Sequence, residues 1–138
     1  MIQKLAWVFG VVFLAVGAAG FVPALTTDGV LLGLFMVDPL HNAIHLLSGV
    51  AAILAAWGSS SYARLYFQVF GAVYALVTVL GFIGGGSVLG IIMVNMNDNI
   101  LHLVIAAAAL YAGFMMKSSS AMPADMSAPD AGAPSVQG

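Results

Sequence analysis

The chain has 138 residues, 62% of them hydrophobic and only 6% charged, with a net charge of -2 and no cysteine. A soluble domain carries about a quarter charged residues, so this composition excludes one and indicates a membrane protein built as a single compact bundle. Lys4, Arg64 and Lys117 are the only cations and stand far apart in sequence, which excludes a basic nucleic-acid surface; the lack of cysteine excludes disulfides, thiolate metal sites and covalently attached c-type haem.

An α-helical span needs about 20 mainly apolar residues, and four segments qualify. The first covers residues 5–25 without a charge, with Pro23 near its end. Lys4 ahead of it and Val16-Gly17-Ala18 within it have the look of a secretory signal, but its pattern returns in the third span, so it is expected to be retained. The second covers residues 39–57. Asp38-Pro39 opens it with a capping carboxylate and a proline whose missing N–H is no loss at the first helical position. The third covers 65–83 and is stopped by Gly84-Gly85-Gly86. The fourth covers 97–116, with Asn97 as the expected cap and Lys117 marking the exit.

The stretches 29–37 and 87–94 are too apolar for free loops and too short to span. They are expected to lie on or dip into the outer interface, with their backbones satisfied by helix hydrogen bonds or neighbouring protein. The alternative is that they lengthen the second and fourth helices, which the Asp38-Pro39 break disfavours in the first case. From Ser118 to Gly138 the composition cannot bury enough apolar surface to offset chain entropy. That stretch reads as a disordered cytoplasmic tail, leaving 1–117 as the transmembrane domain.

Two parts of the chain say nearly the same thing. Leu32-Gly33-Leu34-Phe35-Met36-Val37-Asp38-Pro39-Leu40-His41-Asn42-Ala43-Ile44-His45-Leu46 is echoed by Leu89-Gly90-Ile91-Ile92-Met93-Val94-Asn95-Met96-Asn97-Asp98-Asn99-Ile100-Leu101-His102-Leu103. Gly10, Val12, Phe13, Gly20 and Phe21 likewise find counterparts in Gly71, Val73, Tyr74, Gly81 and Phe82. Internal repetition constrains the architecture before any single residue is interpreted. The expected fold is all-α, with four transmembrane helices arranged as two tandem repeated hairpins, about 5–57 and 65–116. Each copy holds an even number of spans, so both copies share one orientation about an axis along the membrane normal. All three cations fall on one side of this layout, with Trp7, Trp57, Tyr62 and Tyr66 at the same border. The positive-inside bias then puts both termini in the cytoplasm.

Ionisable residues inside a membrane are functional candidates by default, and here they form one constellation. His41 and His45 lie one turn apart on a face of the second span, and Asp98 and His102 hold the aligned positions on the fourth. Asn42 and Asn99 match as well. Three uses compete. In the preferred one, His41, Asn42, His45, Asp98, Asn99 and His102 are hydrogen-bonding glue between helices, and no cofactor is expected. In the second, His41, His45, Asp98 and His102 ligate zinc or another divalent first-row metal. In the third, a haem- or chlorophyll-type tetrapyrrole sits between His45 and His102. At about 1.5 Å of rise per residue His45 lies about 9 Å below Pro39, so such a pigment would be near the outer surface, without an arginine or lysine for its propionates. Small residues at helical spacing, Gly49, Ala52 and Ala56, Gly71 and Ala75, and Ala109 and Gly113, mark close helix packing. With no P-loop, no nucleophile beside a base and no paired carboxylates, no enzyme is expected.

At Asp38-Pro39-Leu40-His41-Asn42-Ala43-Ile44-His45, Ala63-Arg64-Leu65-Tyr66 and Asp98-Asn99-Ile100-Leu101-His102, the sequence resembles a bacterial family of small four-helix membrane proteins. That family is designated domain of unknown function four-three-eight-three, and the resemblance covers about residues 5–116. It implies a four-span bacterial membrane fold and lends no activity. The expectation is therefore a non-enzymatic multi-pass protein of the bacterial inner membrane, in contact with lipid. It would pack against other membrane subunits or a second copy of itself, as an accessory or scaffold component, and would not bind nucleic acid. A metal- or tetrapyrrole-binding redox or pigment subunit is the alternative.

Overall fold

The computed structural model describes residues 1–116, so the tail expected at 118–138 and the exit cation Lys117 lie outside the described residues. Helix α1 covers Ile2–Ala19, α2 Pro39–Gly58, α3 Ser60–Ile83 and α4 Met96–Leu110, the last continued by a π-helical turn at Tyr111–Met115. Four helices are long and apolar enough to cross a membrane, α4 counting together with its π turn. The chain is a multi-pass membrane protein.

Helix ends are set by side chains that satisfy the first backbone N–H groups. Asp38 Oδ1 accepts from Leu40 N at 2.8 Å and His41 N at 2.9 Å, so α2 begins where the Asp38-Pro39 pair predicts. Three boundaries differ from expectation. Helix α1 ends at Ala19 rather than near residue 25: Pro23 disfavours helical backbone before it, and the chain folds back so that Thr26 Oγ1 donates to Ala19 O at 3.2 Å. Helix α3 starts at Ser60, because the Ser59 hydroxyl accepts from Tyr62 N at 3.1 Å. Helix α4 is capped by Asn95, not Asn97. Asn95 Oδ1 accepts from Asp98 N at 3.1 Å and Asp98 Oδ2 accepts from Asn95 N at 2.8 Å, a reciprocal capping box.

The two connectors neither lengthen the helices nor rely on helix hydrogen bonds. They pair with themselves as antiparallel strands. Strands β1 (Thr26–Thr27), β2 (Val30–Leu31) and β3 (Phe35–Met36) form one small sheet, and β4 (Ser87–Val88) and β5 (Ile92–Met93) the other. The register places Leu31 opposite Phe35 and Val88 opposite Ile92. Strand pairing satisfies part of the backbone of these apolar stretches, and side chains at the starts of α2 and α4 take Leu34 O, Met36 N and Met93 N. One cue in the sequence announces the first turn: Asp28-Gly29 lies between Thr27 and Val30, and both take positive φ, 53° and 76°, as a two-residue hairpin turn requires.

Helix α1 packs against α2 and α3 against α4, and the two pairs join through α2 with α3 and α1 with α3. Close approach of backbones makes the first pair tight: a Cβ on Gly49 would stand 2.9 Å from Gly10 O. In the second pair a Cβ on Gly71 would stand 2.9 Å from Leu110 N, and one on Gly113 2.8 Å from Gln68 N. Ala52, Ala56 and Ala109 are buried and Ala75 is half-buried. The small-residue faces singled out in the sequence are therefore occupied by the chain's own helices. Phe13, Phe67, Phe70 and Tyr74 fill the centre. The outside is apolar, with Val11, Leu54, Val69 and Leu103 exposed, while the histidines point inward. That is the arrangement a lipid surround favours.

Candidate metal centre

Three imidazoles meet between α2 and α4. Capping by Asp38 starts α2 at Pro39, which puts His41 in its first turn and His45 one turn deeper on the same face; His102 arrives from α4. The ring centroids are 4.6 Å apart for His41 and His45, 5.7 Å for His41 and His102, and 6.2 Å for His45 and His102. One ring nitrogen from each lies within 4.8 Å of the others. The three residues are 3%, 8% and 4% exposed in chain order. Aromatic edges wedge two of the rings: Phe13 stands 5.4 Å from His45 at 81°, and Tyr74 5.4 Å from His102 at 89°. Neither Phe13 nor Tyr74 was singled out from sequence, although their matched positions in the echo were a signal.

Hydrogen bonding orients the His41 ring and leaves one buried nitrogen of each imidazole unused. Met93 O can only accept, so the 3.1 Å contact with His41 is made by Nδ1–H, and Nε2 is the nitrogen left for other partners. His41 Nε2, His45 Nδ1 and His102 Nδ1 are buried with no hydrogen-bond partner, in a setting where nearly all buried polar atoms have one. The imidazoles therefore do not glue the helices by hydrogen bonds to each other. That work is done one layer outward. Asp38 Oδ2 accepts from Met93 N at 2.7 Å, Asp98 Oδ2 accepts from Met36 N at 2.9 Å, and the Asn95 and Asn97 amides donate to Leu34 O at 2.8 and 2.9 Å. Burial pulls the Asp38 carboxyl upward, but the N–H groups of His41, Met93 and Leu40 outweigh it and hold the group below the usual carboxylate range. Asn42 and Asn99 stay outside the trio's chemistry: their side-chain amides press against Gly20 and Gly81, where any Cβ would overlap them.

Of the four ligands expected for a metal, three converge and the fourth is engaged elsewhere. The Asp98 carboxylate takes the N–H groups of Met36 and Asn95. A backbone carbonyl behind a histidine, as Met93 O stands behind His41, is the usual outer partner of a metal-ligating imidazole, fixing both tautomer and direction. A tetrapyrrole fits less well. The His41 ring, 4.6 Å from His45 and 5.7 Å from His102, occupies space that a macrocycle between those two would need. Arg64 is committed at the other end of α2, donating to Gly113 O at 3.1 Å and Met116 O at 2.6 Å.

A family model described as Domain of unknown function (DUF4383) matches residues 3–115. The chain belongs to this family. Nothing among curated proteins or solved structures matches it.

In this member of the DUF4383 family the imidazole trio divides two cavities. The larger, about 740 Å³, lies between α2 and α3 and is lined by all three histidines. The smaller, about 260 Å³, is bounded by Phe13, Val16, Phe35 and Leu101 and reaches His45, His102 and Asp98. Three neutral imidazole donors with space beside them can hold a divalent ion and leave a coordination position open.

Proposed function

We propose that this chain is a non-enzymatic protein of the bacterial inner membrane that binds one divalent first-row metal ion through His41, His45 and His102. The observation that carries the reading is the convergence of three buried histidines, one ring nitrogen of each within 4.8 Å of the others, on rings that each keep a buried nitrogen without a partner. Leaving one such buried group unsatisfied costs about 1–3 kcal/mol, a cost that ligation of an ion would offset. Imidazole sets suit zinc, copper, iron and nickel. The scaffold role has less support, because Gly49, Gly71, Ala109 and Gly113 are taken up inside the bundle and do not remain for a lateral partner. Its partners are membrane lipid and, across the apolar outer face, other subunits or a second copy.

The architecture we propose is a tandem duplication with both termini in the cytoplasm and a transmembrane domain of 1–117. Corresponding contacts support it: Phe13 edges His45 as Tyr74 edges His102, and Gly20 meets Asn42 as Gly81 meets Asn99. The deciding experiment is elemental analysis of the full chain purified in mild detergent. About one zinc, copper, iron or nickel per chain is expected, lost in folded His45→Ala and His102→Ala variants. A wild-type protein as metal-poor as those variants would overturn the reading.

A further inference from the structure

The larger cavity is an elongated groove on the apolar outer face of the bundle. It begins at His41, His45 and His102 and ends at Gly58 and Tyr62, where α2 passes into α3. At about 1.5 Å per residue that is about 25 Å of α2, close to the depth of a bilayer's hydrocarbon core. Its walls are apolar along the way, with Leu47, Ala51, Leu54, Val69 and Val73 among them. Midway along it, the hydroxyl of Tyr66 is already engaged, donating to Ser48 O at 3.3 Å. His41, His45 and His102 line its head, and each carries a buried ring nitrogen without a hydrogen-bond partner.

We infer that the open position of the metal takes the carboxylate of a long-chain fatty acid, whose hydrocarbon chain lies along the groove between α2 and α3. The inference rests on the metal reading above. Charge supplies the head: three neutral imidazoles leave a divalent ion uncompensated, and Asp98, the nearest acid on α4, is bound to Met36 and Asn95. An anionic oxygen ligand completes the site. Burial of the three histidines, 3–8% exposed, selects a compact head. The described cations that a glycerophosphate would seek, Lys4 and Arg64, lie at the other end of the bundle, and Arg64 is held by Gly113 and Met116. Length and apolarity supply the tail, since the walls run apolar from the histidines to Gly58 and ask no polar partner of an acyl chain.

Cobalt as the probe metal separates the two claims. The full chain in a maltoside detergent is loaded with Co²⁺ alone, and its visible spectrum is followed as palmitate, hexadecanol or acetate is added. Palmitate should shift the spectrum and hexadecanol should not. Acetate should need a concentration on the order of 100-fold higher, because it buries no chain. Val69→Trp and Ala51→Phe, which fill the groove from opposite walls, should keep the cobalt spectrum yet raise the half-saturating palmitate concentration at least about tenfold by taking up the space the chain needs. Two variants are used because either bulky side chain alone can disturb packing, and the cobalt spectrum reports whether the site survives. Bound cobalt that ignores palmitate, or responds to acetate equally well, overturns the fatty-acid inference and leaves the metal reading standing. Failure to bind cobalt overturns both.

Discussion

The Asp38 carboxylate accepts the backbone N–H of Met93 at 2.7 Å, although the two residues belong to opposite halves of the chain. His41, in the same first turn of α2, bonds the carbonyl of that residue at 3.1 Å. The backbone of β5 is thus gripped at both polar groups by α2. The reverse bond, Met36 N to Asp98 at 2.9 Å, ties β3 to α4. Together they form a layer above the imidazoles that sets the spacing of α2 and α4 at the depth where His41, His45 and His102 meet.

Asp98 supplies the most direct test of this layer. Replacing it with alanine removes two charge-assisted bonds from a residue only 3% exposed, each worth about 1.5–3 kcal/mol. Asp98→Ala should therefore lower unfolding stability in detergent by about 2–4 kcal/mol, allowing for partial relaxation. Denaturant titration checks it, and a change near zero would mean that the layer does not hold the halves together.

Asp98→Asn separates three ligands from four. Its carboxylate is engaged by backbone N–H groups, so the variant should keep its metal while His102→Ala loses it. Elemental analysis of the two proteins side by side decides the matter. Equal loss in both would restore Asp98 as a ligand.

Asp38 should give the fold an acid limb. Its carboxyl is held below the usual carboxylate range in the folded chain, so the unfolded state binds the proton more tightly. The contribution is therefore complete above the unfolded value and disappears as pH falls through the folded one. The stability difference between wild type and Asp38→Asn should shrink steadily as pH drops below the ordinary carboxylate value. A constant difference across that window would contradict the assignment.

Gly20 and Gly81 should be intolerant of a single methyl group. A Cβ at either position overlaps a side-chain amide, that of Asn42 or of Asn99, and both asparagines are buried with little room to retreat. Gly20→Ala and Gly81→Ala should each cost about 1–3 kcal/mol, the range for overpacking a filled interior. Thermal unfolding of the two variants should show comparable losses, and neutrality at both would remove this support for matched halves.

Orientation is open to reporter fusions. One fused after Lys117 and one placed within residues 26–29 should report opposite sides of the membrane, with the first in the cytoplasm. Reports from the same side would show that the span count between them is even, where α2, α3 and α4 require it to be odd.

The sequence by itself determined the membrane environment, the four spans and the pairing of polar positions. Composition and helical length decide those, and they are local properties that need no partner. It also placed the start of α2, because Asp38 caps within its own segment. The other helix ends turned on which of several polar side chains did the capping; Asn95 rather than Asn97 won because Asp98 stands three residues after it and returns the bond. Only tertiary structure decided the rest. Strand pairing in the first connector depends on chain reversal at Asp28-Gly29, and without it that apolar run reads as an interfacial segment. Four candidate ligands were visible as a pattern, but which of them converge depended on bonds between distant halves. Met36 drew Asp98 outward and Met93 turned His41 inward. Spacing along one helix fixes a shared face, whereas the meeting of two helices is set by what packs between them.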